Sequence, residues 1–149
     1  MKDLDWSNLS FGYRQTDYNV RCYYRNGKWG EIEVCSDEYL KLHMAATCLH
    51  YGQEAFEGLK AYRCPDGKVR VFRMDENAAR LQSTCRGIMM PEVPTEMFEE
   101  MVKKVVRLNQ EWIPTYESGA TLYIRPLLIG TSAQVGVHPA TEYCFLIFV

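Results

Sequence analysis

The sequence predicts an α+β fold, a mixed and mainly antiparallel sheet with two main helices packed on it, and three observations carry that prediction. Asn26-Gly27 and Cys64-Pro65-Asp66-Gly67 each lie between two strand-like runs, where only a tight turn can reverse the chain. Asp75 and Gly87 bracket one helix, and after Pro94-Thr95 apolar residues recur every three or four positions, as along a buried helix stripe. Residues 143–149 form an unbroken apolar run, the composition of a central strand.

Taken in order, residues 19–24 alternate and carry β-favouring side chains, and residues 31–34 do so again. Asn26-Gly27 between them predicts a hairpin, because both residues tolerate positive φ. Residues 36–48 mix a candidate helical stripe of Tyr39, Leu40 and Met44 with loop composition and give no assignment. Residues 58–62 read as a buried strand and 68–73 as its antiparallel partner; between them proline presets φ and glycine supplies the left-handed position. Asp75 is placed to cap a helix over about 76–86 and Gly87 to end it, with Arg80 projecting from its first half. In the second helix Met97, Met101, Val105 and Leu108 make the core stripe, Glu99, Glu100, Lys103 and Lys104 the opposite face, and Ile113-Pro114 the stop. Residues 120–129 are strand-like, with Tyr123 and Arg125 on one face and Leu122 and Ile124 on the other. The chain stops inside its last apolar run without turn, cap or polar tail, which predicts a piece of a longer protein.

At 149 residues, 47% of them hydrophobic, the chain can bury a core as a single domain. A formal net charge of -2 gives no electrostatic reason to expect nucleic acid. The first twenty residues contain Asp5 and Asp17 and no apolar signal core, and no run approaches the roughly 20 apolar residues of a membrane span. A soluble, cytoplasmic protein without a membrane partner is expected. Six cysteines, from Cys22 to Cys144, show no C-x-x-C pair and read as reduced thiols. No spacing among them and His43, His50 and His138 suits a metal.

The stretch 49–63 stands apart, crowding Tyr51, Phe56, two glycines and several charges without a simple helical or strand period. Two readings of it stand: a short helix running into a core strand, the commoner fate of aromatic pairs, or a site where Tyr51 and Phe56 offer a hydroxyl and an apolar wall to something small. His50-Tyr51-Gly52-Gln53-Glu54-Ala55-Phe56-Glu57-Gly58-Leu59-Lys60-Ala61-Tyr62 resembles the signature of the N-terminal domain of branched-chain amino acid aminotransferases, which are fold-type IV pyridoxal-phosphate enzymes. Three further segments match that family in the same order: Phe11-Gly12 with Thr16-Asp17; Val69-Arg70-Val71-Phe72-Arg73 leading to Arg80; and Leu122-Tyr123-Ile124-Arg125-Pro126 with Ile129-Gly130-Thr131. The resemblance covers nearly the whole chain.

The resemblance implies the N-terminal, small-domain architecture of fold-type IV and, for the intact protein, transfer of the amino group of leucine, isoleucine or valine to 2-oxoglutarate with pyridoxal 5'-phosphate as cofactor. It places Arg80 on the cofactor phosphate, and Phe11, Tyr51, Phe56, Tyr123, Arg125, Val135 and Val137 around the substrate. Tyr51 and the Val135-Gly136-Val137 loop match positions that reach across a dimer interface, so a homodimer is implied. The lysine that bonds the cofactor, the acid facing its pyridinium nitrogen and the rest of the phosphate cradle belong in relatives to a second domain. None of the seven lysines here matches that catalytic context, and Lys60 reads as a solvent-facing strand residue. The chain alone is therefore expected to be inactive, with no catalytic residue of its own. Two rivals stand beside this reading: a fold-type IV relative acting on D-amino acids or aminodeoxychorismate, and a stand-alone binding or interaction domain with the fold but no chemistry.

Overall fold

Asn26 and Gly27 take positive φ, 52° and 77°, and turn strand β1 (Asn19–Arg25) into β2 (Lys28–Trp29). This is a computed structural model that describes residues 2, 4–6 and 8–149. The return arm begins earlier than the predicted run 31–34, and that run meets β1 only from Glu33 onward. The two-residue turn sets Lys28 and Trp29 opposite Arg25 and Tyr24, and the chain then leaves and rejoins β1 as β3 (Glu33–Cys35), opposite Asn19–Arg21. Residues left unassigned by the sequence run without regular structure to a five-residue helix, α1 (Thr47–Tyr51), which Gly52 closes in the left-handed conformation.

Beyond α1 come β4 (Glu54–Phe56), β5 (Leu59–Arg63) and β6 (Val69–Val71), the last two joined through the predicted turn with Gly67 at φ 75°. Strand β4 falls inside the stretch 49–63, which shows no simple strand period in sequence. Helix α2 (Met74–Gly87) corrects the predicted cap: Arg73, in the left-handed conformation, holds the N-cap position, and Asp75 lies inside the first turn, where its carboxylate pairs with Arg73. A carboxylate one residue inside the helix still meets the positive end of the dipole, which is why the helix starts there without a side-chain cap. Gly87 is the last helical residue, not a left-handed cap; Met89 takes the positive φ, 58°. Helix α3 (Thr95–Leu108) ends before the expected Ile113-Pro114 stop, because Asn109 caps it and a short 3-10 turn over Gln110–Trp112 follows. The buried Asn109 donates to the carbonyls of Val105 and Tyr18 and accepts from the amides of Asp17 and Tyr18, tying the helix end to the start of β1.

Strands β7 (Leu122–Gly130) and β8 (Tyr143–Phe148) complete one eight-stranded sheet, ordered β2-β1-β8-β7-β5-β6, with β3 on β1 and β4 on β7. Every ladder is antiparallel. The final apolar run is central as predicted, flanked by β1 and β7. The fold class is thus the predicted α+β one. Leu122, Ile124 and Leu128 of β7 pack with Ala78, Leu81 and Cys85 of α2 and Phe98, Met101, Val102 and Val105 of α3. On the other face Leu127, Ile129, Cys144 and Leu146 form a smaller cluster under Leu40 and Leu42. All six cysteines are free thiols, and no helix among the described residues is long and apolar enough to cross a membrane.

Candidate active site

The two-residue period of β7 delivers Tyr123 and Arg125 to the face opposite the helices, and β4 delivers Phe56 beside them. Arg125 Nε donates to the Tyr123 hydroxyl at 3.1 Å, and the guanidinium carbon lies 4.3 Å from the Phe56 ring centroid and 5.3 Å from that of Tyr123. Phe11, from the N-terminal segment, meets Tyr123 edge-on with centroids 5.2 Å apart. Phe11 and Phe56 are 85% and 60% exposed, so the four residues form an open shelf and not an enclosed pocket. Among the described residues Nη1 and Nη2 of Arg125 have no hydrogen-bond partner. A planar fork of donors beside two apolar rings suits a ligand with a carboxylate at one end and an apolar group at the other.

Gly58 makes the shelf geometrically allowed. A Cβ there would lie 2.7 Å from the Tyr123 hydroxyl, so only glycine lets the ring lie flat across the strand. Phe56 pairs with Leu127 and Leu59 with Ile124, so β4 and β5 keep one register along β7. The ladder is interrupted between them because Glu57 N–H donates to the Pro126 carbonyl at 2.9 Å and proline has no N–H to return.

Glu57 lies inside the signature of residues 50–62, and its position in sequence assigns it no role. It shares the core-facing phase of Ala55 and Leu59 and is only 3% exposed. A carboxylate buried there requires partners. Helix α2 supplies them: Arg80 Nε and Nη2 donate to the two Glu57 oxygens at 2.9 and 2.7 Å, and Asn77 Nδ2 donates at 2.8 Å. The hydrogen bonds from Arg80 to Glu57, with the carboxylate's charge, raise the Arg80 guanidinium above its ordinary pKa. A charged residue in the buried phase of a strand was the signal that marked Glu57.

Tyr51, Val135 and Val137 do not join the shelf. Tyr51 ends α1, and Val135 and Val137 are 88% and 91% exposed in the loop after β7. That loop sits against the start of α1 through an Ala46–Ala133 bridge and the Gln134 N–H to Ala45 carbonyl bond. Gln53 braces it, accepting from Ala140 N–H and donating to the Tyr143 hydroxyl. The sites predicted from sequence therefore fall into three places: the shelf, Arg80 with Glu57, and this loop with Tyr51. A cavity of about 160 Å³ on the same sheet face, lined by residues including Arg21, Glu38, Leu127 and Phe148, contains none of them.

Sequence comparison gives relatives along the whole chain. The branched-chain-amino-acid aminotransferase of Haemophilus influenzae is 51% identical over 99% of this chain and 43% of its own length. The chain belongs to the branched-chain aminotransferase family. The Helicobacter pylori aminotransferase of the same name is 46% identical over 99% of the chain and 44% of itself. The chain thus spans less than half the length of these curated relatives. Among solved structures, the Escherichia coli branched-chain amino acid aminotransferase superposes with a TM-score of 0.69 at 26% identity, over 89% of this chain and 39% of that one. The T.th. enzyme of the same name, solved in complex with N-(5'-phosphopyridoxyl)-L-glutamate, gives 0.58 at 27% identity over 85% of this chain and 40% of that one. No protein-family model matches the chain.

Proposed function

We propose that this chain is the N-terminal domain of a pyridoxal-phosphate-dependent aminotransferase that moves the amino group of leucine, isoleucine or valine to 2-oxoglutarate. The observation that carries the reading is the shelf of Phe11, Phe56, Tyr123 and Arg125, where an unpartnered guanidinium edge adjoins apolar rings. Arg125, steadied by the Tyr123 hydroxyl, binds the substrate carboxylate, and Phe11 and Phe56 receive the branched side chain and keep water from it.

The residues fit the phosphate end of the cofactor. Arg80 Nη1 has no partner among the described residues and lies on a side chain 68% exposed. When bound, pyridoxal phosphate supplies the electron sink for amino-group transfer. The lysine that bonds it and the acid facing its ring nitrogen are assigned to a second domain, in a chain of the length of the relatives. Tyr51, Val135 and Val137, each exposed and none in contact with the shelf residues, are assigned to the substrate site of a second subunit in a cytoplasmic homodimer. The relatives' shared name supports the reaction class, and the openness of the shelf supports a site completed by other protein.

The test is amino-group transfer by the full-length protein carrying this domain. Glutamate should form from 2-oxoglutarate with leucine, isoleucine or valine as donor, and the 149-residue chain alone should form none. Turnover of D-amino acids or aminodeoxychorismate in their place would overturn the substrate assignment, and activity of the isolated chain would overturn the division of labour.

A further inference from the structure

We propose that Glu57 is a positioning residue for phosphate recognition: its buried carboxylate holds Arg80 side-on, so that the outer edge of the guanidinium stands ready as a fork for phosphate oxygens. The inference rests on the reading above that Arg80 holds the cofactor phosphate, and it adds the residue through which that arginine is aimed.

Burying a carboxylate on the core face of a sheet costs free energy, so a structural explanation of Glu57 alone would favour an apolar residue between Ala55 and Leu59. The carboxylate is instead fixed from both ends. Its backbone N–H is held by the Pro126 carbonyl, and its two oxygens take three hydrogen bonds from Asn77 and Arg80. Arg80, in contrast, sits on the outer surface of α2 with its side chain 68% exposed. A long exposed arginine would otherwise sample many rotamers and lose that freedom on binding. Glu57 engages Nε and one hydrogen of Nη2, which leaves Nη1 and the second Nη2 hydrogen along the adjacent, outer end of the plane. Two parallel donors at the end of a fixed plane match two phosphate oxygens.

The same dipeptide reaches the shelf. Asn77 Nδ2 also approaches the Gly58 carbonyl at 3.4 Å, and Gly58 is the residue across which Tyr123 lies. Arg80 and the substrate shelf therefore share Glu57-Gly58 as their common support.

The experiment is titration of the cofactor-free, full-length protein with pyridoxal 5'-phosphate and, separately, with pyridoxal, which lacks the phosphate. Glu57→Gln keeps the size of the side chain and removes its charge. Affinity for pyridoxal 5'-phosphate should fall about tenfold, equivalent to about 1.4 kcal/mol, with pyridoxal affinity unchanged. In an Arg80→Ala background Glu57→Gln should cause no further phosphate-specific loss. If Arg80→Ala leaves the ratio of the two affinities intact, the phosphate reading of Arg80 fails. If Arg80→Ala collapses the ratio while Glu57→Gln preserves it, the positioning role of Glu57 is overturned and the reading of Arg80 survives. Should Glu57→Gln not fold by circular dichroism, Asn77→Ala, which removes one bond from Glu57, replaces it. A loss of about threefold, again confined to the phosphate compound, is then expected, and no loss overturns the proposal.

Discussion

The two faces of β7 do different work. Toward the helices, Leu122, Ile124 and Leu128 disappear among Phe98, Met101, Val102 and Val105, and the packing is apolar and closed. Toward the other side, half the face is covered by Leu40 and Leu42 over Leu127, Ile129 and Cys144, and half is bare shelf at Tyr123 and Arg125. Because successive side chains of a strand point opposite ways, one nine-residue segment can anchor a core and present a ligand surface without either constraining the other. The exception is Glu57, a charge placed on the core side and answered from α2.

The deepest cut into that contrast is Phe98→Ala. Phe98 is fully buried and stacks on Phe145 of β8, centroids 6.0 Å apart. Its truncation should cost about 3–5 kcal/mol, read as a lowered urea midpoint with cofactor absent. A cost near zero would mean that the helix layer is not the main source of stability. Next comes Gly130→Ala at the end of β7. A Cβ there would collide with Thr47 Oγ1 and lie 2.9 Å from Gln53 Oε1 and 3.1 Å from Ala140 Cβ. Gln53 is already held by Ala140 and Tyr143 and cannot swing aside. Overpacking of this kind should cost about 1–3 kcal/mol, and a neutral result in the same denaturation assay would show that α1 and the following loop move freely.

These faces were unequally legible in the sequence. The two-residue period of 120–129 put Tyr123 and Arg125 together, and the apolar run of β8 announced a central strand. Phe11, in contrast, meets Tyr123 from the far end of the chain, and no spacing rule reports so distant a contact; only the family resemblance brought them together. Strand β4 escaped because it is three residues long with one buried side chain, Ala55, too short to show a period, and the same phase continues into the charged Glu57 before Leu59 opens β5. The α2 cap was misread because Arg73 adopts a left-handed backbone that its side chain does not advertise.

A third, smaller effect tests how closed the covered half is. Burial pushes the Cys144 thiol, on the Leu40 side, and the Cys85 thiol, on the core-facing side of α2, up to about 11 from an ordinary 9.0. The folded state therefore holds these protons more tightly than the unfolded chain. Below about pH 9 both states are protonated and the contribution is complete; as pH rises toward 11 the unfolded chain ionises first and stability falls. By pH 10 the loss should be about 1 kcal/mol per thiol. Urea midpoints at pH 8 and 10 measure it, and Cys85→Ala/Cys144→Ala should show a flatter dependence than the parent chain. Tyr13, Tyr23, Tyr143, Cys22 and Cys48 are raised too and act in the same direction, so the difference between variants reports Cys85 and Cys144 together with their repulsion of Tyr143 and Tyr23. Identical slopes would mean that water reaches both thiols.

The smallest effect on stability belongs to the same deletion made on the shelf. Phe56 is 60% exposed, and the Arg125 guanidinium lies over its ring. Phe56→Ala therefore gives up little buried area and one exposed cation–π contact, a cost of about 0.5–1 kcal/mol, several-fold below that of Phe98→Ala. Its effect on recognition should run the other way. Without the ring, Arg125 loses the surface that orients it and the ligand loses an apolar wall, so KM for leucine in the full-length protein should rise about tenfold while the urea midpoint barely moves. A large drop in midpoint would show that Phe56 is part of the core, and the division between the two faces would fail. An unchanged KM would leave the stability contrast intact and remove Phe56 from the substrate site.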